Sequence, residues 1–361
     1  MRSTWLQCGS AAGWSRLDGR DNALNAVRLG LAVVVLVSHA LILEGPGLTL
    51  WTAQMGAGAV AGFFALSGYL IAGSRERHSL LSFLWSRALR ILPGYWGALL
   101  VTGCLFAPLV AMLGHREIDF TSSLGYIWHN AALIQRQIGI GGTLAGSPTP
   151  YVSVWNSSLW TLPYEFGSYV ALGVLFAWPR MRRVSAALAV VAACALLLFL
   201  IRLGVVMIDS NIPSLAGHFA AGAAMHAARR DLPNDGRLAT FAAMVVAWAL
   251  WHGPLALGAL APLHLSYLVL WLGARLPGGL ATKHDLSYGI YIYAFPLQQV
   301  MVTLGVSGAV SPLWFAALSL IVTAPAALAS WMLVERPALR LRPAVFGQLE
   351  GHMNARSATA P

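Results

Sequence analysis

Apolar residues in this chain come in long unbroken runs rather than in alternating or striped patterns. Ten such runs lie at roughly 26–43, 56–74, 91–112, 159–178, 184–204, 213–229, 238–252, 256–274, 286–305 and 311–334. Most approach the length of about 20 residues that a helix needs to cross the hydrocarbon core of a bilayer. The seventh is short, and Gly253-Pro254 supplies the turn into the eighth. The pattern predicts an all-α, polytopic membrane protein, a bundle of about ten transmembrane helices. It shows neither an internal repeat nor a second, soluble domain.

Composition leads to the same solvent. Hydrophobic residues make up 58% of the 361 and charged ones 10%, with a mean hydropathy of +0.67. A soluble domain carries about 25% charged residues, so this chain has too few to cover a water-facing surface. The net charge of +10 does not point to nucleic acid, because the charges lie in short clusters between apolar runs rather than on one face or tail. Three cysteines, Cys8, Cys104 and Cys194, are far apart and lack metal-ligand spacing. The first 25 residues are polar and include Arg16, Asp18, Arg20 and Asp21. They do not read as a cleavable signal peptide, so the first apolar helix is expected to remain as an anchor.

Charge bias sets the expected orientation. With the N-terminus in the cytoplasm, 20 of the 23 basic residues fall on the inside, and only Arg116, Arg136 and Arg202 lie outside. Every cytoplasmic loop then obeys the positive-inside rule. An even helix count and two cytoplasmic termini follow, in a bacterial inner membrane. The division expected is a cytoplasmic N-terminal segment (1–25), a transmembrane domain (26–342) and a disordered tail (343–361). The longest segment outside the membrane, 113–158, carries glycines and prolines and is polar enough to cap a site, with a short helix around 123–135.

Ionisable groups inside spans are costly and therefore candidates for function. His39 lies in the outer third of the first run, and Arg28 precedes it by 11 residues. Eleven residues are close to three helical turns, so the two project from one face about 16 Å apart along the axis. An imidazole there suits general-base work or transient acyl carriage; a snorkelling Arg and a hydrogen-bonded His are the plainer alternative. Glu165, at the outer start of the fourth run, can orient an imidazole or bind a sugar hydroxyl. Trp160 and Tyr164 beside it can stack on a sugar ring, or form an interfacial aromatic belt. Arg87 and Arg90 share a helical face and form a phosphate fork, although inside anchoring accounts for them almost as well. Ser67-Gly68-Tyr69 permits close approach, for packing or for a ligand. Tyr288, Tyr291 and Tyr293 crowd the ninth run, Glu335-Arg336-Pro337 suggests the end of the tenth, and His129, His218 and His264 have no evident partner. No pair has zinc-site spacing.

These segments, in this order, resemble the membrane acyltransferase family 3, which includes bacterial surface-polysaccharide O-acyltransferases. The matching stretches are Asn25 to Ala32 running on to His39, Phe63 to Leu70, Phe83 to Pro93, Leu159 to Leu162 with Glu165, Leu286 to Tyr291, and Glu335 to Pro337. The resemblance covers about 18 to 342. It implies transfer of an acyl group, acetyl by default, from cytoplasmic acyl-CoA to a hydroxyl of a carbohydrate or glycoconjugate across the membrane. His39 would be the catalytic histidine, paired with Arg28. Arg87 and Arg90 would hold the phosphates of the CoA. Joined to the reading of the residues, the expected site has His39 and Glu165 as catalytic groups, Ser67 with the three arginines on the donor side, and Trp160 and Tyr164 on the acceptor side. No bound cofactor is expected, and the partners are the two substrates and membrane lipid, not nucleic acid. Two positions depart from the family pattern: Ala61 stands where many relatives have an acid, and Ala294 where many have a His. A transporter or flippase for a polar envelope precursor is the alternative, against which no paired broken helices appear in matching halves.

Overall fold

A computed structural model describes residues 14–18, 22–44, 49–277 and 285–341. The terminal segment from 343 onward, Arg2, Arg20 and Lys283 lie outside them. Among the described residues there is no strand. Ten helices correspond to the ten apolar runs: α1 (Leu24–Leu43), α2 (Thr49–Arg77), α3 (Leu80–Val101), α4 (Leu162–Leu175), α5 (Val184–Arg202), α6 (Asn211–Ala228), α7 (Gly236–His252), α8 (Pro254–Arg275), α9 (Ser287–Thr303) and α10 (Pro312–Ser330). The side of the bundle where α1 begins is called near below, and the side where it ends, far.

Six of these are long and apolar enough to cross a bilayer on their own: α1, α2, α3 with its continuation, α5, α8 and α10 with its continuation. The chain is a membrane protein. Of the other four, α4, α7 and α9 are shorter, at 14, 17 and 17 residues, and α6 and α9 are surrounded largely by protein. In α9, 15 of 17 residues are buried, so its Gln298 and Gln299 bond to backbone carbonyls of Leu36, Tyr151 and Val154 instead of facing hydrocarbon. In α5 only Val191 and Leu198 are buried, and its outward Leu196 and Phe199 face the lipid.

Helix α2 is the central post, packed on α1, α6 and α8. Its approach to α6 is set by missing side chains. A Cβ on Gly68 would lie 1.9 Å from the Phe219 carbonyl oxygen, and one on Gly222 would lie 2.0 Å from that of Ala65. Small residues let two backbones touch where no hydrophobic effect drives helices together in lipid. The Ser67-Gly68-Tyr69 motif therefore serves packing at its glycine.

Two helices carry a π-turn, and the second of them runs past the end expected from sequence. Helix α3 continues through a π-turn (Thr102–Phe106) into Ala107–Leu113; the π-turn precedes Pro108, whose ring clashes with the fourth carbonyl before it in a regular helix. Glu335-Arg336-Pro337 does not terminate α10. A π-turn (Trp331–Glu335) absorbs the proline and the helix runs on to Leu341. The short helix expected near 123–135 is Phe120–Asn130; it stops at Asn130 because that side chain caps the turn beyond it. Asn130 Oδ1 accepts from the amides of Arg136 and Gln137, and its Nδ2 donates to the Gln137 carbonyl at 2.7 Å. The rest of the 114–158 segment is fastened down: Asn156 donates to the Ile292 carbonyl of α9, and Trp155 to Thr143.

Candidate active site

All the sequence-predicted site residues except Tyr164 fall into two cavities stacked along α1. The near cavity, about 60 Å³, is lined by Arg28, Arg87, Arg90, Ser67 and Glu165, with Tyr169, Tyr288 and Tyr291. The far cavity, about 170 Å³, is lined by His39, Trp160, Tyr151, Ser157 and Phe295. Val60 of α2 and Tyr291 of α9 line both. A single layer of side chains thus separates them, and it is held in place: Tyr291 shares a 2.6 Å hydrogen bond with the Thr161 hydroxyl, and its ring meets Phe63 edge-on at 5.8 Å.

Charge is concentrated in the near cavity and its immediate surround. Arg90 is bound to Asp285 at 2.5 Å, and the other Asp285 oxygen accepts from Ser287 at 2.7 Å. Burial would push the Asp285 carboxyl up, but the Arg90 and Arg28 guanidiniums and the Ser287 hydroxyl outweigh it and hold the group well below the usual carboxylate range. Arg87 has no such partner; its Nε reaches only Ser86 Oγ at 3.3 Å. The Arg28 Nε is buried and without a hydrogen bond. Of the two arginines of the predicted fork, Arg90 is therefore already paired, and Arg87 with Arg28 has donors to spare. Glu335, 2% exposed, accepts from Ser330 with one oxygen and leaves the other unpaired.

Glu165 belongs to this cavity rather than to the imidazole. One of its oxygens accepts from Tyr169, one helical turn on, and from Ser67 at 3.3 Å. The expectation that it orients the catalytic ring does not match this geometry. The kink that places it comes from Leu159–Thr161, a 3₁₀ turn leading into α4 with Pro163 in its first turn.

The far cavity is poorer in charge. His39 meets Phe295 edge-on at 5.1 Å, and its buried Nδ1 has no hydrogen-bond partner. Trp160 lines the same space, whereas Tyr164 does not. Tyr164 packs edge-on against Trp160 at 5.7 Å and donates to Asp209 at 2.5 Å. The Tyr164 and Asn211 donors outweigh partial burial and keep the Asp209 carboxyl below its ordinary range. Three histidines without an evident partner have ordinary ones: His129 meets Gln137, and His218 and His264 meet carbonyls one turn earlier.

Sequence reasoning passed over Asp285, Tyr169, Tyr151 and Phe295. Asp285 carried a signal, an acid immediately ahead of a span on the arginine-rich side, and Tyr169 carried a weaker one, four residues after Glu165. Tyr151 comes from an irregular loop, whose fold no periodicity announces.

A family model described as an acyltransferase domain matches residues 21–332. An O-acetyl transferase of Shigella phage Sf6 is 28% identical over 309 residues, 78% of this chain and 86% of that protein. Nodulation protein 10 of Rhizobium leguminosarum bv. viciae is 29% identical over 359 residues, 90% of this chain and 95% of that protein. No solved structure matches the chain significantly.

Proposed function

The chain belongs to acyltransferase family 3 and is an O-acyltransferase, and from that premise we propose that it carries an acyl group from acyl-CoA in the cytoplasm to a carbohydrate or glycoconjugate hydroxyl outside. The observation that carries this reading is the pair of cavities opened by one helix. Arg28 lines the first, His39 the second, and they share a wall at Val60 and Tyr291. A donor with anionic phosphates and a long neutral arm suits this division: charge remains among arginines at the near mouth while the thioester reaches the imidazole. The positive-inside bias supports the near side as cytoplasmic, in a bacterial inner membrane. The phage relative's name supports acetyl as the acyl group.

The near cavity is too small for a nucleotide. Arg87 and Arg28 bind one phosphate at its mouth, and Arg90, held by Asp285, sets the field around them. Ser67, Glu165 and Tyr169 line the path of the arm, which offers amides to a carboxylate and hydroxyls. In the far cavity the acceptor hydroxyl meets His39. The ring takes its proton as the oxygen attacks the thioester carbonyl, and returns that proton to the departing thiolate. Alternatively the ring nitrogen attacks first and breaks the thioester C–S bond, the CoA leaves as the thiol with the ring's proton, and the acyl group then passes to the hydroxyl, whose proton returns to the ring. Trp160 gives a sugar ring a flat apolar face.

The test is acyl-CoA-dependent esterification in membranes that hold the parent or His39→Ala. Loss of ester product, with normal protein amount, is expected from the variant. Equal product from both would overturn the assignment of His39. A transporter would release no free CoA in the same assay.

A further inference from the structure

A third cavity lies where the far-side ends of α5, α6, α7 and α8 meet. Its volume is about 560 Å³, against about 170 Å³ for the His39 cavity. Arg202, His252, Ser210 and Asn211 give it polar walls, and Leu198 and Leu255 give it an apolar one. We propose that this cavity binds the phosphate ester of a membrane amphiphile, with Arg202 and His252 holding the phosphate and the two leucines meeting the first methylenes of its tail.

Arg202 is the first argument. The far side carries three arginines against the charge bias of the rest of the chain. Arg116 is used by the fold, donating to the carbonyls of Gly142 and Thr143 at 3.1 and 2.9 Å. Arg202 is exposed at the end of α5, and among the described residues it has no hydrogen bond or ion pair. A guanidinium left with free donors beside hydroxyls is matched to a tetrahedral oxyanion, which it grips with two N–H groups at once.

His252 is the second. Its ring is stacked on Trp248 at 3.9 Å with 22° between planes, and Nδ1 is bonded to the Trp248 carbonyl at 2.8 Å. That fixes the ring and leaves Nε2 for a ligand. Nε2 donates to a phosphate oxygen when the ring is charged, and accepts from a phosphate hydroxyl when it is neutral. The nearby acid does not cancel this field fully, since both Asp209 oxygens are already engaged, one by Tyr164 and one by Asn211.

Location supplies the tail. Leu198 is 4% exposed but lies on a helix whose Leu196 and Phe199 are exposed, so the apolar wall adjoins a surface fit for lipid at the far end of a span. A chain of side-chain contacts also joins the cavity to the transfer site. Trp160 of the His39 cavity packs on Tyr164, which binds Asp209, which binds Asn211. A lipid-linked glycan held by its phosphate here would extend toward Trp160; this last link rests on the reading above, whereas phosphate binding does not.

The experiment uses the full chain in a phosphate-free maltoside detergent, with tryptophan fluorescence, to which Trp248 contributes, as the readout. Three probes are titrated: dihexanoyl phosphatidic acid, dihexanoylglycerol and inorganic phosphate. Saturable binding of the first is expected, with each of the others at least about tenfold weaker, the worth of one charge-assisted hydrogen bond. Arg202→Gln should weaken phosphatidic acid by a similar factor, and Arg202→Lys by less. Parent-like affinity in Arg202→Gln overturns the site. Equal affinity for dihexanoylglycerol reduces it to an apolar groove, and equal affinity for inorganic phosphate makes it a free-anion site; either overturns the amphiphile. His39→Ala should bind phosphatidic acid as the parent does, so failure of the transfer reading and failure of this one are separately visible.

Discussion

At the scale of single residues, the near cavity is organised by one ion pair. The Asp285 carboxylate is depressed by the arginines around it, so its contribution exists above the pKa of the unfolded chain and is lost only as pH falls through the lower folded value. The pair is therefore intact throughout the neutral and mildly acidic range. Asp285→Asn leaves a buried guanidinium without its partner, which costs roughly 3 kcal/mol. Denaturation in detergent should show that loss unchanged between about pH 8 and pH 5, the window in which a carboxylate of ordinary pKa (about 3.9) or lower stays ionised. Arg87, by contrast, has only the Ser86 hydroxyl and no carboxylate partner among the described residues. Arg87→Gln should leave the thermal midpoint near the parent's while raising the KM for the donor at least about tenfold, the worth of one charge-assisted contact to phosphate. A fall in kcat alone would place that side chain elsewhere in the reaction.

At the scale of helices, the crossing of α2 and α6 is the least forgiving contact. Gly68→Ala drives a methyl into the Phe219 carbonyl, and overpacking of this kind costs about 1–3 kcal/mol. Gly30→Ala, which meets nothing within 4 Å on α1, is the matched control. It should hold or raise the midpoint, because alanine is the better helix former. How much of this was legible in the sequence depends on what fixes each element. The ten apolar runs announce their helices because hydrocarbon imposes length and polarity on anything that crosses it. Termini were less legible: Pro337 reads as a stop, but a π-turn passes it. The loop at 114–158 was least legible, because its course is set by specific side-chain bonds, Asn130 to the turn at Arg136 and Gln137, Trp155 to the Thr143 hydroxyl and Asn156 to the distant Ile292 carbonyl. For the same reason His39, Arg28, Arg87 and Trp160 could be picked from helical spacing and motif, whereas Tyr151 and Phe295 could not. Glu165 was found as a residue, but its bonds to Tyr169 and Ser67 were not, since spacing along one helix says nothing about which helix it faces.

At the scale of the whole molecule, two cavities approach from opposite sides and stop one side chain short of each other. Val60→Trp should fill that junction. Transfer of the acyl group should then fall about a hundredfold, the cost of misplacing reacting groups, while thioester binding at the near mouth survives; product analysis with a labelled donor separates the two. Activity equal to the parent's would mean that the groups meet by another route.

The same thin septum has an electrical consequence. A membrane potential drops mainly across whatever material is thinnest and least polar, and here two water-accessible vestibules would concentrate it on Val60 and Tyr291. One elementary charge crossing 100 mV exchanges about 2.3 kcal/mol, so a leak at this point would drain the cell's proton gradient. Val60→Gly in sealed proteoliposomes should therefore raise proton permeability above that of the parent. The tyrosine and valine would then be insulation as much as lining, keeping chemistry continuous across a barrier that ions must not cross.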